Sequence, residues 1–224
     1  MNRAVVNLAT EPARERYLLG QARLGKSLDA VGYEDMRVFW ANEYPIGCPT
    51  HKQVMRGFKP YVMWDAVRSG ADIVLWCDAS IVVRKSLDPI FGVIEKDGYY
   101  FNANPGQSQA YWGTDYQLKK LGVTRTEAEG FDQCSSAVVG INARSVIGLK
   151  ILTYALGYLF DPGVYGVGAG ESDSPLFKGI RTDQTVFSCL IHKWGLKMQP
   201  QGWFRFTQDL HGLDDTIVEA RGIR

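Results

Sequence analysis

Short apolar runs alternate with stretches of helical periodicity along most of the chain. The runs RAVVNLAT (residues 3–10), DIVLWCD (72–78) and SSAVVGIN (135–142) predict buried strands. Apolar residues recur at helical spacing in 15–33 and 59–70, and each of these stretches has a glycine at or near its end. This alternation predicts an α/β sandwich with a mainly parallel central sheet.

Two stretches depart from the alternation. Residues 161–179, DPGVYGVGAGESDSPLFKG, are rich in helix and strand breakers and too long for a simple connection, so they predict a mobile or functional loop, with residues 163–174 as its mobile part. Residues 102–116 are rich in aromatic, Asn, Gln and Gly residues before a helical pattern begins. No strand is predicted there.

Composition adds little to this picture but excludes several classes. The 224 residues are 46% hydrophobic and 22% charged, with a net charge of +1, so no global attraction to nucleic acid or membranes is expected. No signal peptide and no membrane span is predicted. The four cysteines are far apart in sequence and predict free thiols in a reducing compartment. We therefore expect one cytoplasmic domain over residues 1–224.

Asp78 is the first candidate for chemistry. It follows the most apolar predicted strand and precedes two small residues, Ala79 and Ser80. Ligands of such sheets bind beyond the carboxyl ends of the strands. A rigid carboxylate there can bind Mn²⁺ or Mg²⁺, which in turn holds a diphosphate, and the small residues leave room for phosphates or a sugar. The alternative is that Asp78 only caps the next turn or pairs with a nearby arginine.

Three segments carry a family resemblance. Residues 57–83, GFKPYVMWDAVRSGADIVLWCDASIVV, resemble the strand and acidic motif of GT-A-fold nucleotide-sugar glycosyltransferases, in particular the subset with Asp-Ala-Gly or Asp-Ala-Ser in place of Asp-x-Asp. Residues 181–195 resemble the later Asp-Gln helix of that group, and VVNLAT (5–10) resembles its nucleotide-binding first strand. The resemblance implies a Rossmann-like GT-A three-layer sandwich that transfers a sugar from a nucleotide-sugar donor.

The resemblance also implies roles for individual residues. Asp183 and Gln184 are the implied catalytic residues: Asp183 binds sugar hydroxyls or acts as the general base, and Gln184 contacts the reacting sugar. The alternative for Asp183 is a helix N-cap. The implied nucleotide-sugar-binding residues are Thr10, Tyr17, Lys59, Asp78, Ala79, Ser80 and Arg181.

The resemblance further implies a metal site formed by Asp78, Ser80 and His211, with Mn²⁺ or Mg²⁺ as the cofactor. Ser80 is a neutral ligand where many members have a second Asp, so the ion is held loosely, bridged by water or absent. Without it, another cation must offset the charge of the leaving diphosphate. The candidates for that role, each also explicable as a surface charge, are Arg56, Lys59, Arg84, Lys178 and Arg181.

The acceptor is left open, with a glycan, a lipid, a protein and a modified nucleobase all possible. Tyr111 and Trp112 suit stacking on a sugar or base and are candidates for the acceptor side. Two alternative functions remain. One is a non-catalytic nucleotide-sugar-binding module, which the missing second Asp favours. The other is a sugar-phosphate nucleotidyltransferase, which usually needs a glycine-rich loop after the first strand, whereas residues 7–16 contain no glycine.

Overall fold

The computed structural model describes residues 1–10, 14–41, 43–200, 202–206 and 215–222. Its strands are β1 (Arg3–Ala9), β2 (Arg37–Ala41), β3 (Ile73–Cys77), β4 (Ile81–Val83), β5 (Tyr99–Ser108), β6 (Asp132–Asn142), β7 (Phe204–Phe206) and β8 (Val218–Ala220). Its α-helices are α1 (Arg14–Asp29), α2 (Phe58–Arg68), α3 (Asp88–Asp97), α4 (Asp115–Leu121), α5 (Arg125–Glu129), α6 (Val146–Gly157) and α7 (Asp183–Lys193).

The larger sheet has the strand order β2-β1-β3-β6-β5. Strand β1 is parallel to both β2 and β3, whereas β6 is antiparallel to both β3 and β5. The prediction of a mainly parallel sheet is therefore wrong, because the sheet is mixed. The error comes from β5, whose Asn, Pro, Gly and Gln residues hid a strand that pairs directly with β6.

The predicted three-layer α/β arrangement is confirmed. Along β1, Ala4, Val6 and Leu8 belong to the hydrophobic cluster on one face of the sheet, and Val5 belongs to the cluster on the other. Helices α2, α6 and α7 contribute to the first cluster, and α1 and α3 contribute to the second. The period-two alternation of β1 is what a strand covered by helices on both faces requires.

A second sheet has the order β4-β8-β7, and three residues separate the end of β3 from the start of β4. Asp78, Ala79 and Ser80 form the junction between the two sheets, where the backbone N–H of Ile81 donates to the carbonyl of Asp78 (2.9 Å). Asp78 thus lies at the carboxyl end of a strand flanked on one side by β1, as the sequence predicts.

The segment 161–179 is anchored at several points. Val164 and Tyr165 are buried within a 3₁₀ turn. The Ser172 hydroxyl donates to the Asp115 carboxylate (2.9 Å), and the Arg125 guanidinium donates to Ser172 (2.9 Å). Gly166 is also buried, and the Val167 N–H donates to the Pro162 carbonyl (3.0 Å), so residues 168–171 are the part for which the described structure shows no such contact. Mobility of residues 163–174 stays a prediction.

The four cysteines are free thiols, which confirms that prediction. Within the described ranges, no helix combines the length and the apolar character that crossing a bilayer requires.

Candidate active site

A cleft of about 160 Å³ opens at the carboxyl ends of β1 and β3. Its lining residues are Leu8, Thr10, Tyr17, His51, Arg56, Phe58, Lys59, Trp76, Asp78, Ala79 and Ser80. The fold therefore gathers in one cleft six of the predicted binding residues: Thr10, Tyr17, Lys59, Asp78, Ala79 and Ser80. Arg181, the seventh, does not line this cleft.

Asp78 is held from two directions. The indole Nε1 of Trp76 donates to Asp78 Oδ1 (2.7 Å), and the Lys59 ammonium lies 2.9 Å from the same oxygen. The Asp78 side chain is 34% exposed, so it still faces the cleft. Because side chains two residues apart lie on the same face of a strand, the period of β3 could have identified Trp76 as the partner of Asp78.

The small residue after Asp78 has a packing role as well. Helix α1 approaches the junction so closely that a Cβ on Gly20 would lie 2.4 Å from the carbonyl oxygen of Ala79. Ala79 is itself buried. The small side chain at position 79 is thus explained by the approach of α1, in addition to the room it leaves in the cleft.

Lys59 lies in the first turn of α2 on the face that also carries Val62, Met63 and Ala66, all of them buried. A lysine on the apolar face of a helix is stable only when its charge is paired, because burying an unpaired ammonium is very costly. This spacing was a signal in the sequence for a buried ion pair at Lys59.

The Lys59 ammonium contacts three oxygens. It lies 2.9 Å from Asp78 Oδ1 and 2.8 Å from Asp183 Oδ2, and it donates to the carbonyl of Ser136 (2.9 Å). Burial lowers the pKa of Lys59, but the charges of Asp183 and Asp78 outweigh burial and hold the pKa above its ordinary value. The lysine therefore stays charged and joins β3 to the start of α7.

Asp183, the first residue of α7, is fully buried. Its Oδ1 accepts from the Thr182 hydroxyl (3.0 Å) and lies 3.9 Å from the Arg56 guanidinium. Burial raises the pKa of Asp183, but the charges of Lys59 and then Arg56 outweigh it, so the pKa lies below its ordinary value. In this arrangement Asp183 is a weak proton acceptor and lies behind the wall of the cleft rather than in it.

Gln184 belongs to a buried row of amides that the sequence did not reveal. Arg181 donates to Gln184 Oε1 (3.2 Å), and Gln184 Nε2 donates to Gln133 Oε1 (3.0 Å). Gln133 in turn donates to Gln109 (2.9 Å). Three amides in series fix the orientation of Gln184, which sequence reasoning could not predict because Gln109 and Gln133 come from distant elements.

Two cationic side chains lie over the aromatic rings that were predicted for the acceptor side. Lys178 lies over the Tyr111 ring (3.7 Å) and Arg181 over the Trp112 ring (4.2 Å). Backbone hydrogen bonds also join the two segments, for example from the Lys178 N–H to the Tyr111 carbonyl (2.8 Å). Arg181 therefore connects the aromatic segment with Gln184.

Arg84 and His211 are two further predicted residues that the described structure does not bring to the cleft. Arg84 forms an ion pair with Glu219 of β8, so its candidacy as a diphosphate-binding cation is not supported. His211 lies outside the described residues.

The described donor set does not fit a resident divalent ion. No group of three or more His, Cys, Asp or Glu residues in the described ranges is arranged to hold one. Asp78 offers a single carboxylate, whose Oδ1 already faces the Lys59 ammonium, and Ser80 offers only a neutral hydroxyl. The prediction of Mn²⁺ or Mg²⁺ with His211 as a ligand stays a prediction.

The layered α/β fold is consistent with a Rossmann-like glycosyltransferase fold. The crystal structure of mouse xyloside xylosyltransferase 1 in its apo form matches 99% of this chain and 98% of its own, with a TM-score of 0.55 and 12% sequence identity. At that identity the likeness concerns the fold. No protein-family model matches the sequence, and no curated protein matches it either.

Proposed function

We propose that the protein is a glycosyltransferase that moves a sugar from a nucleoside-diphosphate sugar to an acceptor. The observation that carries the proposal is the convergence of Thr10, Tyr17, Lys59 and Asp78 in one cleft at the carboxyl ends of β1 and β3. The fold likeness to a xylosyltransferase supports the same class of activity. In α/β sheets of this kind, such a cleft is where ligands bind.

The cleft suggests a division of roles. Thr10 and Tyr17 lie on the β1 side, where the hydroxyl can bond to the ribose or base and the ring can stack on the base. Asp78 and Lys59 lie at the β3 end, beside the position we assign to the diphosphate. The Lys59 ammonium offsets part of the charge that develops on the leaving group.

For Asp183 the geometry favours a positioning role. Its carboxylate orients Lys59, and taking a proton from an acceptor would require it to leave that ammonium, 2.8 Å away. Gln184, fixed by Arg181 and Gln133, is the residue of the pair that we assign to the sugar end of the donor.

The test is a panel of nucleotide sugars, including a xylose donor because of the name of the structurally similar mouse protein. Binding of a donor raises the melting temperature by mass action, and the panel is run with and without Mn²⁺. Donors that bind are then assayed for sugar transfer or donor hydrolysis by mass spectrometry. Turnover of at least one donor is the expected result.

Asp78→Asn removes the charge that Lys59 faces in the cleft. We expect at least about a hundredfold loss of turnover, with the fold retained, because Asp78 positions the Lys59 ammonium that offsets the charge on the leaving group. The matched control is Asp88→Asn, which alters an ion-paired aspartate on α3 outside the cleft. Full activity in Asp78→Asn would contradict the assignment.

One observation favours a second candidate, a non-catalytic nucleotide-sugar-binding module. The only acid proposed as a general base, Asp183, is buried and paired with cations. Donor binding that is insensitive to metal and is followed by no turnover with any acceptor class would support the module and contradict the transferase.

A further inference from the structure

Arg56 has an unusual backbone conformation. Its φ is +57°, and it is the one residue other than glycine in the described ranges with a positive φ. This left-handed region is strained for residues with a side chain. Such conformations persist where the surrounding structure fixes them, and they concentrate at functional sites.

The conformation of Arg56 is fixed from both sides. The Gly57 N–H donates to the Val54 carbonyl (3.0 Å), and the Arg56 carbonyl accepts from the Lys59 N–H (3.2 Å). Gly57 packs so closely that a Cβ there would lie 2.5 Å from Val54 Cγ1 and 2.7 Å from Leu159 Cδ2. The chain is therefore held in a tight turn that places the Arg56 side chain at the cleft.

The N–H donors of the Arg56 guanidinium are not all paired with other side chains in the described ranges. It lies 3.9 Å from Asp183 Oδ1, at the outer limit of an ion pair, and donates no side-chain hydrogen bond to another residue in the described ranges. Its side chain is 47% exposed. A guanidinium has five N–H donors in a planar fork that suits phosphate oxygens. Those donors are available to a ligand in the cleft.

A second guanidinium approaches the same place. Arg56 faces Asp183 and Arg181 donates to Gln184, the next residue of α7. Burial first, and the positive charge of Arg56 second, lower the pKa of Arg181. Two cations, Arg56 and Lys59, thus face Asp183, Lys59 also faces Asp78, and Arg181 contacts the residue that follows Asp183 in α7.

We propose that Arg56, at the cleft, forms an anion subsite that binds the phosphoryl groups of the donor without a divalent ion. The proposal rests on the proposed function for the identity of the anion. It accounts for a cleft whose described residues do not fit a resident metal yet carry an unsatisfied guanidinium. The strained turn positions that guanidinium before the ligand arrives, so little ordering is needed on binding.

The test uses inorganic pyrophosphate as the probe, with the purified protein in a chelator and binding measured by calorimetry. We expect the parent protein to bind, and Arg56→Gln and Arg56→Gly each to bind at least about tenfold more weakly, as expected for loss of charge-assisted hydrogen bonds. The matched control is Arg68→Gln, at the other end of α2, whose side chain is 52% exposed and pairs with Asp65. The control should stay within about twofold of the parent, as expected for a screened surface pair.

The strain is tested by comparing the two Arg56 variants, because both lack the guanidinium. Arg56→Gly accepts the left-handed conformation without strain and should melt about 2–4 °C above Arg56→Gln. Equal melting temperatures would refute the strain. Undiminished pyrophosphate binding in Arg56→Gln, or binding by the parent only when Mn²⁺ is present, would overturn the subsite.

The outcomes separate the subsite from the proposed function. Pyrophosphate binding that depends on Arg56, without turnover of any nucleotide sugar, would contradict the glycosyltransferase and support the subsite. Turnover that is unchanged in Arg56→Gln would contradict the subsite and support the glycosyltransferase.

Discussion

Two buried carboxylates, Asp183 and Glu219, are each matched by two cationic side chains, yet the two clusters differ. Glu219 on β8 receives a hydrogen bond from Arg84 at Oε2 (2.6 Å) and one from Arg221 at Oε1 (3.0 Å). Asp183 has the Lys59 ammonium at 2.8 Å but the Arg56 guanidinium only at 3.9 Å. The Glu219 cluster is closed by direct hydrogen bonds, and the Asp183 cluster is not.

The cations also differ in their surroundings. The side chains of Arg84 and Arg221 are 44% and 40% exposed and cover Glu219 from the solvent side. Lys59 is buried between two carboxylates. The Glu219 cluster in the smaller sheet is thus structural. The Asp183 cluster beside the larger sheet has similar charges but retains N–H donors that no residue of the cluster accepts. These free N–H donors of Arg56, rather than the burial of charge, distinguish the candidate site.

The largest effect is expected from Lys59→Met. The change leaves Asp78 without its ammonium partner and leaves the buried Asp183 with only the Arg56 guanidinium, 3.9 Å away. Breaking a buried pair in this way costs about 3–5 kcal/mol in the free energy of unfolding. Urea unfolding at pH 7 measures it, and pyrophosphate binding is followed in the same samples.

The control for Lys59→Met is the double variant Lys59→Met with Asp183→Asn, which removes one of the two stranded charges. It should recover part of the lost stability. A loss below about 1 kcal/mol in the single variant, the range of exposed pairs, would show that Lys59 is not a buried bridge.

Much of this cluster was accessible from local sequence patterns. The continuous apolar run before Asp78 predicted β3, the apolar spacing around Lys59 predicted α2, and the resemblance of residues 181–195 to an Asp-Gln helix predicted α7. Each pattern depends on residues within one element, which is why it can be recognised in a single sequence.

The remainder depends on how distant elements meet. Strand β5 was missed because its Asn, Pro and Gly residues have low strand propensity and its pairing with β6 overrides them. The direct contact of Lys59 with Asp183 joins residues far apart in the chain. The left-handed Arg56 has no signal of its own, since it is imposed by the packing of Gly57 against Val54 and Leu159.

A smaller effect is expected from Glu219→Gln. The two arginines that lose their carboxylate are partly exposed and can be hydrated, so little charge is left stranded. We expect a loss of about 1–2 kcal/mol in the free energy of unfolding, near the lower range for hydrogen bonds to charged groups. Pyrophosphate affinity should stay that of the parent. A loss as large as that of Lys59→Met would show that the two clusters do not differ as we argue.

The smallest expected effect concerns acid. Each of the two carboxylates contributes a small part of the free energy of unfolding that the protein loses as the pH falls. Burial raises the pKa of Glu219, but hydrogen bonds from Arg221 and Arg84 outweigh it, so that pKa, like that of Asp183, lies below its ordinary value. A carboxylate whose pKa is lower in the folded state contributes stability above its unfolded pKa, and this is lost as pH falls through the folded pKa.

The unfolded pKa values are about 3.9 for Asp and about 4.3 for Glu, so the loss begins at higher pH for Glu219 than for Asp183. Linkage then limits the stability lost between pH 7 and pH 4 to about 0.7 kcal/mol for Glu219 and about 0.4 kcal/mol for Asp183. Urea unfolding at both pH values should therefore show a smaller acid loss in Glu219→Gln than in the parent, with Asp183→Asn between them. If Asp183→Asn reduced the acid loss more than Glu219→Gln does, proton uptake by the unfolded Glu219 would not be the larger of the two contributions, and the expected order of the variants would be wrong.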